Sequence, residues 1–546
     1  MNNLYSNPYT STRGLCAGLF VVLAIGAFLI FQDFGISADE PVRNKYGKRV
    51  LSYYETGFSD TSAINKGKWT FIYGSSFELP AAFLNQFSPF GEYETRHLLN
   101  ALFGIIGIIG ACKLGRLLAG TKAGIFSALF LLLTPAYFGH MFINPKDIPF
   151  AAGYIWAIYY MCLGFGSFPK IPKSLAINLG LAIGMALGLR VSGFVLWAYF
   201  SMAAITYVLF PTLFEDEPSG ESRPFARVLG VLKTTAIAFG VSYALMLFFW
   251  PWAQVEPLLR PIRALLFLSK FPHSNPMLLR GEYINAQMLP WNYIPEYFLV
   301  KMPEAILVGA TLGIIMAIRF IASGKASGQK LKVVRYSFLA LAAALPFAYL
   351  FGKNSVVYDG IRHFLFVVPC LCVISGVVLA KIADRIAAVG RGAGLLTALL
   401  IIIAFGPQAY ALIRLHPYQY VYYNQFVGGL RGADGLYEKD YWATSYKEAV
   451  ALLADHLKKA DGDNCARHQY KIGVRGPRRC ALYYFPENFA YIKNWRKADF
   501  VISYTRRDWH TQVPGSRIFA VKRMGVELSV VKELRHSGVD TRKMKK

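Results

Sequence analysis

Long apolar runs alternate with short charged or aromatic segments along the 546-residue chain. A helix needs about 20 mostly apolar residues to cross a bilayer. Eleven windows of that kind cover residues 14–32, 98–118, 123–142, 148–168, 174–189, 191–210, 229–250, 304–321, 336–351, 364–380 and 395–413. This pattern predicts a polytopic α-helical membrane protein with about 11 transmembrane helices.

The ends of the windows predict how the chain lies in the membrane. Arg13 precedes the first window and no small-residue cleavage site follows it, so we expect a retained span rather than a signal peptide. Lys and Arg cluster in every second connection, which places the N-terminus in the cytoplasm and the C-terminal tail outside. The stretch 174–210 is either one helix broken near Arg190 or two short helices.

Four connections are therefore expected outside. Two long ones, 33–94 and 251–303, interleave aromatic and charged residues, which is typical of helices lying in the headgroup layer. Two short ones, 140–147 and 353–363, join successive windows. Together with the spans they make up an expected membrane domain over residues 1–413.

The composition changes after Arg414 and predicts a small external α/β domain over residues 414–546. Periodicity predicts a helix at 445–459 and strands at 471–474, 500–504 and 518–530, the last being either one strand or a hairpin that turns near Met524-Gly525. Cys465 and Cys480 are the only cysteines outside the apolar windows. In an oxidising compartment they form either a disulfide or two buried free thiols.

Overall composition supports the membrane class and suggests partners. The chain is 55% hydrophobic and 16% charged, with a net charge of +26, much of it contributed by the tail. A basic domain at a membrane face attracts phosphate-bearing lipids or glycolipids. Its external location argues against nucleic acid as a partner.

Ionisable residues are missing from most of the apolar windows. Transporters and proton pumps usually need such groups at mid-membrane depth. Here the chemistry-bearing residues lie at one rim, above all the adjacent Asp39 and Glu40 after the first span, although such a pair also suits a solvated loop. The pattern favours an enzyme that acts at the outer surface on a substrate partly buried in lipid.

Four motifs in order carry a resemblance to a known superfamily. They are the acidic pair, the turn Asn144-Pro145-Lys146-Asp147, the break Gly188-Leu189-Arg190 and the entry Tyr358-x-Gly360-x-Arg362-His363. With them the membrane part resembles the GT-C-fold glycosyltransferases of the protein O-mannosyltransferase and aminoarabinose-transferase superfamily, glycosyltransferase family 39. Residues 416–446 resemble its bacterial phospholipid-carrier-dependent branch.

The resemblance implies transfer of one sugar, with inversion, from a polyprenyl-phosphate donor on the extracytoplasmic face of a bacterial inner membrane. A hydroxyl acceptor needs a carboxylate to take its proton. We assign Asp39 as that base, with Glu40 as the alternative, and Asp147 to the acceptor or a second-acid site. A lipid or glycan acceptor is favoured over a protein, because 251–303 lacks an acidic cluster.

Cations near the donor phosphate would stabilise the charge that grows on the leaving group. The candidates are Arg190, Lys146, Arg362 and His363. Two acidic loops at one site would offer oxygen ligands to Mg²⁺ or Mn²⁺, but one carboxylate from each is too little to predict a metal or any other cofactor. The alternative function is a flippase or transporter of lipid-linked sugars without transferase activity.

Overall fold

Helices dominate the structure. The computed structural model describes residues 8–67, 69–214, 224–324, 326–353, 356–390 and 392–534. The helices are α1 (Pro8–Ile30), α2 (Glu40–Glu55), α3 (Ser62–Asn65), α4 (Glu78–Leu84), α5 (Glu92–Leu132), α6 (Pro135–Ile143), α7 (Asp147–Gly164), α8 (Lys173–Leu187), α9 (Phe194–Leu209), α10 (Pro224–Phe248), α11 (Pro251–Val255), α12 (Leu259–Ser269), α13 (Tyr293–Lys301), α14 (Glu304–Ala322), α15 (Lys330–Lys353), α16 (Val368–Ala387), α17 (Ala393–Leu415), α18 (Gly429–Ala433), α19 (Tyr446–Asp461) and α20 (Arg479–Leu482). The strands are β1 (Pro276–Leu279), β2 (Glu282–Asn285), β3 (Tyr470–Arg475), β4 (Phe489–Tyr491), β5 (Phe500–Tyr504), β6 (Ser516–Arg523) and β7 (Val526–Glu533).

The helices account for all the predicted apolar windows. Within the described residues, nine helical segments are long and apolar enough to cross a membrane. One of them, α5, contains a break at Ala119 and Gly120, whose backbone is not helical, and therefore carries the window 98–118 and the first half of the window 123–142. The apolar α8 carries another, although its 15 residues span only about 22 Å. The fold is that of a polytopic helical membrane protein with a small C-terminal α/β region.

One window differs in detail from the prediction, and one open alternative is decided. The window 123–142 is not one helix, because α5 ends at Leu132 and α6 begins at Pro135. Proline lacks the backbone N–H and disfavours helical geometry in the residue before it, which explains the break. The stretch 174–210 consists of two helices, α8 and α9, separated by residues 188–193.

The central helices are α5, α7 and α16, whose apolar segments are mostly buried. By contrast, α1, α14 and α17 leave most of their apolar surface exposed. Helices that are apolar all round and lie at the periphery suit contact with lipid. Helix α7 packs against α5, α8 and the short 3-10 helix Arg362–Val367, which brings the starts of α7 and α16 close together.

The segments between spans form short helices, as expected, and one unpredicted hairpin. Residues 33–94 contain α2, α3 and α4, and residues 251–303 contain α11, α12 and α13. The hairpin pairs β1 with β2 in antiparallel register. Its turn uses Arg280 and Gly281, both with positive φ, so only a short Arg-Gly pair marks it in the sequence.

The C-terminal region forms a five-stranded sheet in the order β4-β3-β5-β7-β6. The predicted helix and strands are confirmed as α19, β3, β5 and the β6–β7 hairpin, which turns at Met524 and Gly525. The three-residue β4 is too short to stand out by periodicity. Because β3 runs parallel to both β4 and β5, these three strands end at the same edge of the sheet.

The disulfide alternative for Cys465 and Cys480 is wrong in this structure, where both are buried free thiols. The sulfur of Cys480 lies 3.9 Å from the carbonyl oxygen of Trp442. That of Cys465 lies 3.5 Å from the side-chain nitrogen of Asn488. The two thiols therefore pack against different parts of the region, and the second alternative holds.

Candidate active site

The first part of the candidate site is an ion pair between residues 323 positions apart. Asp39 lies just before α2, and Arg362 begins the 3-10 helix that leads into α16. The Nη1 of Arg362 donates to Oδ2 of Asp39 at 2.9 Å. Its Nη2 lies 3.4 Å from Oδ2 of Asp359. The buried guanidinium also lies over the rings of Tyr358 and Trp442, which fixes its plane.

The second part is an ion pair between Asp147, the first residue of α7, and Arg190 in the break between α8 and α9. Asn144 donates to Oδ2 of Asp147 at 2.8 Å, and its amide nitrogen lies 3.1 Å from Nδ1 of His140. In the described part of the chain, the buried Nε of Arg190 has no hydrogen-bond partner. Arg190 therefore keeps a donor available at a largely buried position.

Close backbone packing brings the loops of the site together. A Cβ on Gly74 would lie 2.0 Å from the carbonyl oxygen of Gly188, so no larger residue fits there. That same oxygen accepts a hydrogen bond from the backbone N–H of Ser76 at 3.0 Å. This contact fixes the segment carrying Tyr73 against the break that carries Arg190.

Lys146 lies next to both ion pairs. Its Nζ is 4.6 Å from the ring centroid of Tyr73, and no described carboxylate lies within ion-pair distance of it. Burial lowers the pKa of Lys146 to about 7; Asp39 raises it, while Arg190 and Arg362 lower it further. A lysine beside excess positive charge and without its own counterion is prepared for an incoming anion.

Asp39 lies at the accessible edge of this cluster, with 38% of its side chain exposed. Burial raises its pKa, but the charges of Arg362 and Lys146 outweigh burial and lower the pKa to about 2. The carboxylate is therefore ionised at neutral pH. Its Oδ1 accepts no hydrogen bond from any described residue, so one oxygen is free for a ligand.

Glu40 and His363, like Lys146, take no part in the two ion pairs of the site. Glu40 is buried and turned away from the cluster; it accepts the backbone N–H of Ser37 at 2.8 Å and lies 3.1 Å from Nε2 of His97. These contacts make it a structural residue at the start of α2. His363 is half-buried with its ring edge-to-face against Tyr358, next to Arg362.

A second charged network contacts Arg362 and was not predicted from the sequence. Arg506, from the C-terminal region, donates to Oδ1 of Asp359 at 2.6 Å and lies 3.3 Å from Oε2 of Glu438. Its Nη1 donates to the carbonyl oxygen of Tyr441 at 3.1 Å. Asp359 thus joins Arg506 to Arg362, and the C-terminal region contacts the candidate site through Arg506 as well as through Trp442.

A small cavity of about 10 Å³ adjoins this network. Its lining includes His140, Lys301, Asp359, Glu438 and Tyr441. The Nζ of Lys301 donates to the carbonyl oxygen of Tyr420 at 3.1 Å, and burial lowers the pKa of Lys301 to about 7.

The two acidic loops of the site pair with different arginines. Each carboxylate, Asp39 and Asp147, is occupied by its own arginine. Over the described ranges, no three His, Cys, Asp or Glu side chains are grouped to hold a metal ion. We therefore assign no residue to a metal.

Residues 90–219 match the family model of dolichyl-phosphate-mannose-protein mannosyltransferase. The predicted resemblance to the protein O-mannosyltransferase superfamily is confirmed over that part of the chain. It includes Lys146, Asp147 and Arg190, but neither Asp39 nor Arg362. A search of curated proteins found no match.

Two solved structures match the chain over most of its length at low sequence identity. ArnT from Cupriavidus metallidurans bound to undecaprenyl phosphate has 14% identity and a TM-score of 0.47, covering 94% of this chain and 97% of that one. The archaeal oligosaccharyltransferase AglB from Archaeoglobus fulgidus, in complex with an inhibitory peptide and a dolichol-phosphate, has 11% identity and a TM-score of 0.45. That match covers 90% of this chain and 69% of that one.

Proposed function

We propose that the chain is a membrane glycosyltransferase that moves one sugar, with inversion, from a polyprenyl-phosphate donor to a lipid or glycan acceptor on the extracytoplasmic face. The observation that carries the proposal is the grouping of Asp39 with Arg362, Lys146 and Arg190. One accessible carboxylate stands there among three cations, of which Lys146 has no carboxylate of its own in the described chain. The family-model match over residues 90–219 supports the same class.

The cations fit a lipid phosphate. In a glycosyl transfer from such a donor, negative charge grows on the phosphate as the bond to the anomeric carbon breaks. Fixed positive groups in a partly buried site lower that barrier. Arg362 and Arg190 offer planar guanidinium donors, and Lys146 adds a point charge. His363, beside Arg362, is the remaining candidate for contact with the donor.

Asp39 fits the role of the base only once the donor is bound. A carboxylate whose pKa is about 2 is a weak proton acceptor. A donor phosphate that takes over hydrogen bonds from Arg362 would weaken the 2.9 Å pair and raise the pKa of Asp39. The oxygen of the acceptor hydroxyl then bonds to the anomeric carbon while Asp39 takes the proton of that hydroxyl. The bond from the anomeric carbon to the polyprenyl phosphate breaks, and the polyprenyl phosphate leaves.

Asp147 fits acceptor binding less directly, because Arg190 and Asn144 already occupy both of its oxygens. We propose that it orients Arg190 for the phosphate. Removing Asp147 would then weaken donor binding before it affects proton transfer. This separates its role from that of Asp39.

A transfer assay in detergent tests the proposal against the flippase alternative. Purified protein is incubated with a panel of polyprenyl-phosphate sugars and glycolipid acceptors, with no bilayer to cross. We expect wild type to form product and Asp39→Asn to form it at least about a hundredfold more slowly. Movement of the donor across proteoliposomes by both proteins, without any transfer by wild type, would overturn the proposal.

A further inference from the structure

One edge of the C-terminal sheet is strongly basic. The parallel strands β4, β3 and β5 end there, and the segments that follow them are residues 475–479, 492–498 and 505–510. These segments contain eight Lys and Arg residues and a single carboxylate, that of Asp508. In open α/β sheets, ligands commonly bind outside the carboxyl ends of the strands, where neighbouring connections diverge. Here β3 has β4 on one side and β5 on the other.

Arginine and tryptophan side chains interleave at this edge. The guanidinium of Arg475 lies 5.1 Å from the ring centroid of Trp509 and 5.9 Å from that of Trp495. The guanidinium of Arg507 lies 5.8 Å from the Trp509 ring. All four side chains are half-buried, and we call them the Arg-Trp edge.

The charges of the Arg-Trp edge are not neutralised within the described chain. Arg475 donates to the neutral side chain of Gln512 at 2.9 Å, and neither Arg475 nor Arg507 forms an ion pair with a described carboxylate. The buried Nε atoms of both arginines have no hydrogen-bond partner among the described residues. Two guanidinium groups held in place by rings therefore keep donors available for an external anion.

The Arg-Trp edge borders the candidate active site. Arg507 follows Arg506 in the chain, so their Cα atoms are about 3.8 Å apart. Arg506 is bonded to Asp359, which contacts Arg362, the partner of Asp39. A short series of side-chain contacts therefore connects this edge to Asp39.

We propose that the Arg-Trp edge binds an anionic glycan and, resting on the function proposed above, that this glycan is the acceptor. Guanidinium groups suit the carboxylates or phosphates of such a glycan, and indole rings suit the apolar faces of its sugars. Attraction to a lipid surface, by contrast, is worth about 1 kcal/mol per basic residue and needs no fixed geometry. The fixed guanidinium planes between the rings favour the glycan.

Binding is tested on the full-length protein in detergent without any donor. The probe is fluorescent oligogalacturonate, a chain of sugars that each carry a carboxylate, and maltooligosaccharide is its neutral counterpart. Phosphatidylglycerol vesicles serve as the lipid comparison. The variant is Arg475→Gln/Arg507→Gln, and the charge-matched control is Lys458→Gln/Lys459→Gln, on exposed residues in the last turn of α19. Thermal unfolding checks that each variant is folded.

We expect wild type to bind oligogalacturonate and not maltooligosaccharide. The Kd of the double arginine variant for oligogalacturonate should be about tenfold higher, which corresponds to the loss of roughly one charge-assisted contact. The lysine control should bind as wild type does. Trp509→Leu should weaken oligogalacturonate binding and leave vesicle binding unchanged. Absence of binding by wild type, or equal losses in the arginine and lysine variants, would overturn the proposal.

Three further outcomes separate this inference from a lipid contact and from the proposed function. Loss of vesicle binding with intact oligogalacturonate binding would mean that the edge contacts lipid, and would overturn the glycan site. Selective loss of oligogalacturonate binding in a protein that transfers no sugar would support the glycan site and overturn its role as acceptor site. Intact transfer with glycan binding that is insensitive to the arginine variant overturns only the inference.

Discussion

The pH dependence of donor binding should report the charge on Lys146. Burial and the neighbouring Arg190 and Arg362 place its pKa near 7, although Asp39 partly offsets them. The side chain of Lys146 is positively charged below that pKa and loses its charge as the pH rises through it. Donor affinity should therefore fall with increasing pH. With a pKa of about 7, the charged fraction drops from about 90% at pH 6 to about 3% at pH 8.5, so the Kd should rise up to about thirtyfold.

Equilibrium binding of a fluorescent polyprenyl-phosphate sugar, without acceptor, is the appropriate assay. This donor is a phosphodiester and lacks the second phosphate ionisation near pH 6. Lys146→Arg is the matched control, because an arginine stays charged over the whole range. We expect the pH step in wild type and a nearly flat profile in Lys146→Arg. The same step in both proteins would assign the titration to another group and refute the reasoning.

Three other predictions follow from the same contacts. Arg506→Gln should lower the stability by about 3–5 kcal/mol in thermal unfolding, because it leaves the buried Asp359 and Glu438 without their shared partner; adding Asp359→Asn should recover part of that loss. Glu40→Gln should lower the unfolding temperature but change kcat only slightly, since Glu40 contacts Ser37 and His97 and not the residues of the site. A kcat loss as large as that of Asp39→Asn would contradict this placement. Thiol titration of the unfolded, unreduced protein should find all seven cysteines free, whereas five would indicate a disulfide.

The membrane architecture could be predicted from the sequence because the thickness of the bilayer fixes the length of an apolar helix. That physical constraint applies to each window separately, so a span can be predicted without knowing which helices it packs against. The hairpin β1–β2 was missed because each strand has four residues and lies in an aromatic segment without clear alternation. The break before α6 was overlooked although Pro135 marks it.

The candidate site was predictable in part. Motif order placed Asp39, Lys146, Asp147, Arg190 and Arg362 at one end of the helices, and the structure brings them together. The choice between the two adjacent acids was not predictable, because it depends on a tertiary contact.

Tertiary pairing also explains what the sequence left out. Glu40 is held inward by His97, which is 57 residues away in the chain. Arg506 lies 147 residues from Asp359, and no local pattern distinguishes it from the other arginines of the basic tail. A single sequence gives the charge of such a residue but not its partner.

The most direct test of the proposed mechanism is the single-turnover rate of sugar transfer by Asp39→Asn at saturating donor. Asp33→Asn is the matched control, since Asp33 is a half-exposed carboxylate six residues away that contacts His416 instead of the cluster. Loss of a general base should slow transfer by about 10²–10⁴-fold. We expect that loss in Asp39→Asn, with donor binding retained, and a wild-type rate in Asp33→Asn. Transfer by Asp39→Asn at the wild-type rate would contradict the assignment of Asp39 as the base.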